Sequence, residues 1–321
     1  MPTLPRRTLL LALVTLLALI AAVALYVWLG PRIGRPDPGT QLPSVLPTVV
    51  ERSQPPSSTE ASGSPVPATE VLLAVGDIGS CQGTADEAVA ELASRLPGTI
   101  AVLGDTAYND GTADQFAQCF DPTWGPLRDR MRPTLGNHEF RTEGAAGYFD
   151  YFGAGVGELG RGWYSYELGA WHVVVLNSNC AIVGCDSGSP QVTWLREDLV
   201  AHPSDCLLAY WHHPRWSSGR HGSHTAVDTF WQVLADAGAD VFLAGHDHSY
   251  ERVTVDGLRE FVVGTGGRSL YPFEKPALPE TDIRQADAYG LLWLALGPGT
   301  YDWEYLALGT SGFTDSGSGT C

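Results

Sequence analysis

Short apolar runs recur along this chain, each bounded by polar residues and glycine. Val71 to Val75, Ile100 to Leu103, Val173 to Leu176, Leu207 to Trp211 and Val241 to Ala244 carry mostly aliphatic or β-branched side chains without polar interruption. That is the pattern of strands buried on both faces. Helical periodicity separates several of them. Asp86 to Leu96 predicts a helix with Ala88, Val89, Leu92 and Leu96 on one face, and Gln191 to Ala201 does the same with Val192, Leu195 and Leu199. Pro190 stands at the start of the second, where its missing N–H costs nothing. Further along, Gly162 to Leu168, Leu258 to Val263, Leu291 to Leu296 and Tyr301 to Leu306 read as strands with less helix between them. The expected fold class is therefore α/β, a layered β-sandwich flanked by helices.

The ends of the chain read differently. In residues 1–30, Arg6 and Arg7 precede an uncharged apolar run from Thr8 to Leu29, long enough to span a bilayer and without an Ala-x-Ala cleavage site. This segment is expected to be a signal peptide or an uncleaved membrane anchor. Residues 31–69 are rich in Pro, Ser and Thr and predict a disordered linker. Residues 70–310 form the folded domain, and 311–321 read as a flexible C-terminal tail. The body of the protein is then extracytoplasmic, either membrane-anchored or secreted. A formal net charge of -17 repels polymeric nucleic acid and anionic lipid.

Six cysteines suit an oxidising compartment. Cys81 and Cys119 each follow a candidate site loop and could staple the two together, while Cys180–Cys185 is the better local pair. Cys206 reads as a buried free thiol, with Cys321 as its alternative partner.

The chemistry follows the strands. Asp77, Asp105, Asn137, His212 and His246 each come just after an apolar run, the run before Asn137 being Met131 to Leu135. In open α/β sheets ligands gather beyond such carboxyl ends. Two acids, an amide and three imidazoles, counting His248, are too many for one tetrahedral ion but suit two ions sharing a carboxylate. Two ions about 3.5–4 Å apart can clamp the attacking and leaving oxygens of a phosphoryl transfer.

The motifs that carry these residues are Gly76-Asp77-Ile78-Gly79, Gly104-Asp105-Thr106-Ala107-Tyr108, Gly136-Asn137-His138-Glu139, Trp211-His212-His213-Pro214 and Gly245-His246-Asp247-His248. In this order they resemble the calcineurin-like metallophosphoesterases, and among them the purple acid phosphatases, over Glu70 to Leu308. The resemblance implies a binuclear metal site at strand C-terminal ends. Asp77, Asp105, Tyr108 and His248 would hold the first ion, and Asp105 would bridge to a second completed by Asn137, His212 and His246. It implies Fe(III) beside a divalent Fe, Zn or Mn. A phenol with a pKa near 10 ligates well only beside a strongly acidic cation; the alternative is a Tyr108 packed on its own loop.

His138 would contact substrate and act as general acid for the leaving group. His221 is expected to bind substrate, with His224 and Arg220 of the same Gly/Ser-rich loop as further candidates. Asp247 and Glu139 are each either a carboxylate orienting an imidazole or a solvated loop residue. His213 is expected to support its neighbour, and His172 and His202 to be structural. The Gly264-Thr265-Gly266-Gly267 turn offers backbone donors to an oxyanion or is simply a turn. The function implied is an exported phosphatase hydrolysing phosphate monoesters of small molecules by attack of a metal-bound hydroxide. A phosphodiesterase or nucleotide hydrolase on the same core, and a surface-binding protein without catalysis, are the alternatives.

Overall fold

Strands that are apolar on both faces need cover on both sides, and the structure supplies it by stacking two sheets and placing helices outside them. The computed structural model describes residues 68–309 and 312–321; the segment 1–30 and the linker up to residue 67 lie outside the described residues. The first sheet is built on β1 (Glu70–Val75), with β2 (Thr99–Val102) and β3 (Met131–Pro133) parallel on one side. The second contains β4 (Tyr164–Leu168), β5 (Trp171–Val175), β6 (Cys206–Tyr210), β7 (Val241–Ala244), β8 (Tyr250–Val255), β9 (Leu258–Val263) and β10 (Thr281–Gln285). Its order is β10-β8-β9-β7-β6-β5-β4, with β5, β6, β7 and β9 parallel. On the other side of β1, antiparallel β11 (Gly290–Gly297), β12 (Thr300–Ala307) and β13 (Ser316–Thr320) complete the order β13-β12-β11-β1-β2-β3.

Alternation along each strand sorts the core into three layers. Leu72, Ala101, Val173, Leu208, Leu243 and Leu294 face inward between the sheets. Their neighbours Leu73, Ile100 and Val102 pack outward under the helices Ala85–Ser94 and Ala146–Phe152. Val174, Ala209 and Phe242 pack under Pro190–Ala201 and Asp228–Asp236. The helix at Pro190 starts as its sequence predicts, with the Ser189 hydroxyl accepting from the Val192 N–H. In the helix Ala85–Ser94 the buried stripe is Val89, Ala90 and Ala93; Ala88, expected on that face, is exposed. Buried Asp86 holds the same side, accepting from the Ser80 N–H at 3.2 Å.

Two expectations at the C-terminal end are corrected. Residues 312–321 are not a loose tail: β13 pairs along β12 from Thr300↔Thr320 to Glu304↔Ser316. The small polar residues Ser316 to Thr320 gave no strand signal because this strand lies at a sheet edge and buries little apolar surface. Cys206 is not a free thiol but is bonded to Cys321, across a separation of 115 residues. The other bridges are Cys81–Cys119 and Cys180–Cys185. Among the described residues no helix is long and apolar enough to cross a membrane.

A crosslink that closes so long a loop restricts the unfolded chain strongly. Cys321→Ser is expected to lower the unfolding free energy by about 2–4 kcal/mol, seen as a fall in the urea midpoint under oxidising conditions. An unchanged midpoint would mean that strand pairing alone secures β13.

Candidate metal centre

Two groups of electron-rich atoms meet beyond the carboxyl ends of β1, β2, β3, β6 and β7, and one carboxylate stands between them. Oδ2 of Asp105 lies 3.0 Å from the Tyr108 hydroxyl, which is also 2.8 Å from Asp77 Oδ1 and 3.2 Å from His248 Nε2. Oδ1 of Asp105 lies 3.5 Å from His212 Nε2, which is 3.2 Å from both Asn137 Oδ1 and His246 Nδ1. All seven residues expected to hold metal are therefore brought together. Asp77, Asp105, Tyr108, His212 and His248 are buried.

The surrounding backbone decides which atoms point inward. His212 Nδ1 donates to the Leu103 carbonyl at 2.7 Å and His248 Nδ1 to the Ser269 carbonyl at 2.7 Å, leaving each Nε2 turned to the centre. The His246 N–H holds Asp77 Oδ2 at 2.8 Å, so Oδ1 is the oxygen turned to Tyr108 and His248. Asp77, Asp105 and His246 have φ of 60°, 51° and 70°, a left-handed conformation unusual for side chains with a Cβ. Three such residues in one site cost about 1–3 kcal/mol each and persist only where neighbours over-determine them. Glycine makes the approach possible: a Cβ on Gly136 would lie 2.1 Å from Asp105 Oδ1, and one on Gly104, where φ is +85°, 2.6 Å from His212 Nδ1.

The donor set fits a pair of cations. With His212 Nδ1 committed to Leu103, any proton on Nε2 sits where Asp105 Oδ1, Asn137 Oδ1 and His246 Nδ1 converge. Burial opposes charge on His212, but Asp105 outweighs it and raises the imidazole to about 9. Burial likewise opposes ionisation of Asp105, and His212 and His138 outweigh it, holding the carboxyl well below its usual range. The pocket thus favours positive charge at the point of convergence. Tyr108 behaves oppositely: burial, then Asp105 and Asp77, push its phenol well above the ordinary value, so phenolate ligation demands a strongly acidic ion.

Glu139 and Asp247 are buried, and they accept from backbone N–H groups and a serine hydroxyl rather than from imidazole nitrogens. Buried Glu139 accepts from the N–H groups of Asp105 (3.1 Å), Thr106 (2.7 Å) and Gly136 (2.7 Å), tying the β2 and β3 loops together. Burial and Asp105 push its carboxyl up, to about 7, against the pull of those donors. Buried Asp247 accepts from the Ser217 hydroxyl at 2.6 Å and from the N–H groups of His221 and Gly222, organising the loop that carries His221. Two backbone donors of the Gly264–Gly267 turn are spent within the protein, Gly264 N on Ser249 O and Gly266 N on Gly76 O.

At the mouth, the His138 N–H donates to Asp105 Oδ1 at 2.9 Å and its Nδ1 meets the Asn109 carbonyl. Nε2 is left 3.7 Å from Asp105 Oδ2 and 3.3 Å from Arg141 Nη2. The exposed His221 ring lies 4.3 Å from that of His246, whereas His224 stacks on His213 at 4.8 Å. His213 takes the Ser178 hydroxyl at 2.8 Å and packs 4.9 Å from His212. Sequence reading missed Arg141, Arg268, which lies 5.0 Å over the Tyr108 ring, and Tyr271, stacked on His248 at 4.2 Å. Arg141 had one usable signal, its position three residues after His138 on a helical turn; the other two come from a loop with no periodicity.

Comparison with known proteins agrees with this geometry. The model of the calcineurin-like phosphoesterase family matches residues 71–250. Tartrate-resistant acid phosphatase type 5 of Homo sapiens is 30% identical over 86 residues, 26% of each chain. Purple acid phosphatase 23 of Arabidopsis thaliana is 26% identical over 218 residues, 56% of this chain and 46% of its own. The chain thus spans between a quarter and a half of the length of these curated relatives. Among solved structures, a purple acid phosphatase from yellow lupin (Lupinus luteus) seeds superposes with a TM-score of 0.69 at 17% identity, covering 78% of this chain and 54% of that one. GAP50, the anchor in the inner membrane complex of Plasmodium, gives 0.63 at 14% identity, covering 77% and 88%. With the family model spanning both halves of the ligand cluster and the two-sheet fold shared, this chain is similar to purple acid phosphatases and belongs to the calcineurin-like phosphoesterase family.

Proposed function

We propose that this protein is an exported metal-dependent phosphatase that hydrolyses phosphate monoesters of small molecules at a binuclear centre. The observation that carries the reading is the division of Asp105, one oxygen facing Asp77, Tyr108 and His248 and the other facing Asn137, His212 and His246. Fold alone would not decide it, since GAP50 shares the architecture and is described as an anchor. Three disulfides support an oxidising compartment.

Fe(III) would sit in the Tyr108 group and a divalent Fe, Zn or Mn in the other. Bound there, the ions supply positive charge to the phosphoryl oxygens and lower the pKa of water. The protein's own contribution is positional. Asp105 and the loops tied by Glu139 hold the two donor groups in register. As a P–O bond forms to water and the ester P–O bond breaks, a protonated His138, its Nε2 released from the Arg141 guanidinium that otherwise donates to it, gives its proton to the departing alkoxide oxygen. The Asn109 carbonyl fixes the ring for that transfer, Arg141 offers charge and hydrogen bonds to the remaining phosphate oxygens, and His221, which burial disposes to stay neutral, offers a hydrogen bond.

His138→Ala is expected to lower kcat by about 10²–10⁴-fold with metal content preserved. The loss should be smaller for an aryl phosphate, whose leaving group needs no proton, than for an alkyl phosphate; equal losses, or metal lost in parallel, would remove the acid role. Comparing monoester and diester turnover under one metal condition tests the substrate class, with faster diester cleavage redirecting it.

Tyr108→Phe is expected to abolish a visible phenolate-to-iron absorption band of the native protein. A fully metallated, active native protein with no such band would reassign the ion beside Tyr108.

A further inference from the structure

A second set of ligand-capable side chains lies at the other end of β5, away from the centre described above. Glu167 on β4 and His172 on β5 are directly opposed across the strand pair, which puts their side chains on one face. His172 is buried, and its two nitrogens are differently used. Nε2 meets Asp198 Oδ2 at 2.9 Å, and Asp198 is itself fixed by the Ser165 hydroxyl on Oδ1 at 2.7 Å. Nδ1 is directed outward, 2.7 Å from Glu167 Oε1. Four residues beyond Asp198, His202 follows the helix Pro190–Ala201 and lies parallel to His172, with ring centroids 5.2 Å apart and 7° between planes. Its Nδ1 is 3.7 Å from the same Glu167 oxygen.

An imidazole whose far nitrogen is held by a carboxylate, and whose near nitrogen faces open donors, is the usual arrangement of a metal-binding histidine. Bonds of 2.0–2.2 Å to a tetrahedral zinc-type ion put neighbouring ligand atoms about 3.3 Å apart. The separations here, 2.7 and 3.7 Å, bracket that value, and one donor atom from each of the three residues lies within 4.8 Å of the others. Glu167 and His202 are about half exposed, at 57% and 51%, so each can adjust by a few tenths of an ångström while solvent supplies a fourth ligand. The helix carbonyls ending at Ala201 add negative potential at the same point.

A plain structural role explains less. His202 also has its Nε2 4.0 Å from Asp198 Oδ1, so ion pairing accounts for that nitrogen, but a proton shared between His172 and Glu167 leaves the approach of His202 Nδ1 to the same Glu167 oxygen unused.

We propose that His172, His202 and Glu167 form a separate site for one divalent cation of the zinc type, with Asp198 positioning His172. The bound ion would clamp the β4–β5 hairpin to the end of the helix Pro190–Ala201. The inference does not rest on the phosphatase reading, because none of its residues reaches the centre around Asp105.

The test is zinc titration of the full-length protein with its binuclear centre already filled, counting metal by mass spectrometry after gel filtration. One additional equivalent of zinc is expected, with at least tenfold weaker retention in His202→Ala and in Glu167→Gln. Both positions are exposed, so turnover and the urea midpoint without added zinc should stay at the wild-type values. A copper-loaded sample should show two nitrogen ligands at this site by electron paramagnetic resonance, falling to one in His202→Ala. Wild-type protein with no additional zinc, or equal uptake by wild type and both variants, would overturn the site. Zinc uptake that depends on His202 in a protein lacking phosphatase turnover would uphold this site and count against the proposed activity alone.

Discussion

Everything in this molecule is arranged around an electrostatic problem: carboxylate oxygens, an amide oxygen and imidazole lone pairs are brought within about hydrogen-bond distance of each other in a buried pocket. Such an assembly is unstable unless positive charge enters it. A proton on His212 partly answers that need, opposite Asp105. A proton, however, serves one pair of atoms, whereas the two oxygens of Asp105 face separate groups of partners. The need is therefore for positive charge at two neighbouring points, the condition a pair of cations satisfies.

The fold meets the geometric side of this need before any ligand enters. Parallel β1, β2 and β3 in one sheet and β6 and β7 in the other end at a common mouth, so five loops deliver one or two side chains each over short spans. The left-handed backbone at Asp77, Asp105 and His246 turns those side chains back across the strand ends instead of outward. That conformation is held by acceptors that are not themselves facing the centre. Glu139 gathers the N–H groups of the β2 and β3 loops, Asp77 Oδ2 takes that of His246, and Asp247 gathers those of the loop after β6. Strain at the ligand positions is thus offset by charge-assisted hydrogen bonds one step behind them.

This division explains what could be read from sequence. The apolar runs of β1, β2, β5, β6 and β7 are legible because both faces are buried, and residues at their carboxyl ends are legible because that position has chemical meaning in a parallel sheet. Glu139 and Asp247 remained ambiguous for a physical reason: their partners are backbone N–H groups, which every non-proline residue possesses and no sequence pattern marks. The carbonyls of Leu103, Asn109 and Ser269, which aim three histidines, are invisible on the same ground. β13 escaped notice because edge pairing needs only a backbone, and the Cys206–Cys321 bond because its partners are remote in sequence.

The disulfides show how the rigid and adjustable parts are apportioned. Cys81–Cys119 joins the loop after β1 to the helical turns after β2, on the side of the Tyr108 group. Cys180–Cys185 constrains the segment after β5, where Asn179 donates to the Gly136 carbonyl directly behind Asn137. Cys206–Cys321 instead closes the far end of β6, beside the strand pair that carries His172. Loops at the mouth lack the two-sided burial that fixes the strands, so covalent closure on that side limits the freedom that apolar packing leaves open. The loop with His221 carries no bridge; Asp247 and Glu251 accept from its backbone and its serines, Lys275 donates to the Arg220 carbonyl, Arg284 donates to the Ser218 hydroxyl, and the His221 ring packs against Tyr271. Hydrogen bonds and ring contacts thus hold this side of the mouth, where covalent closure holds the segments after β1 and β5.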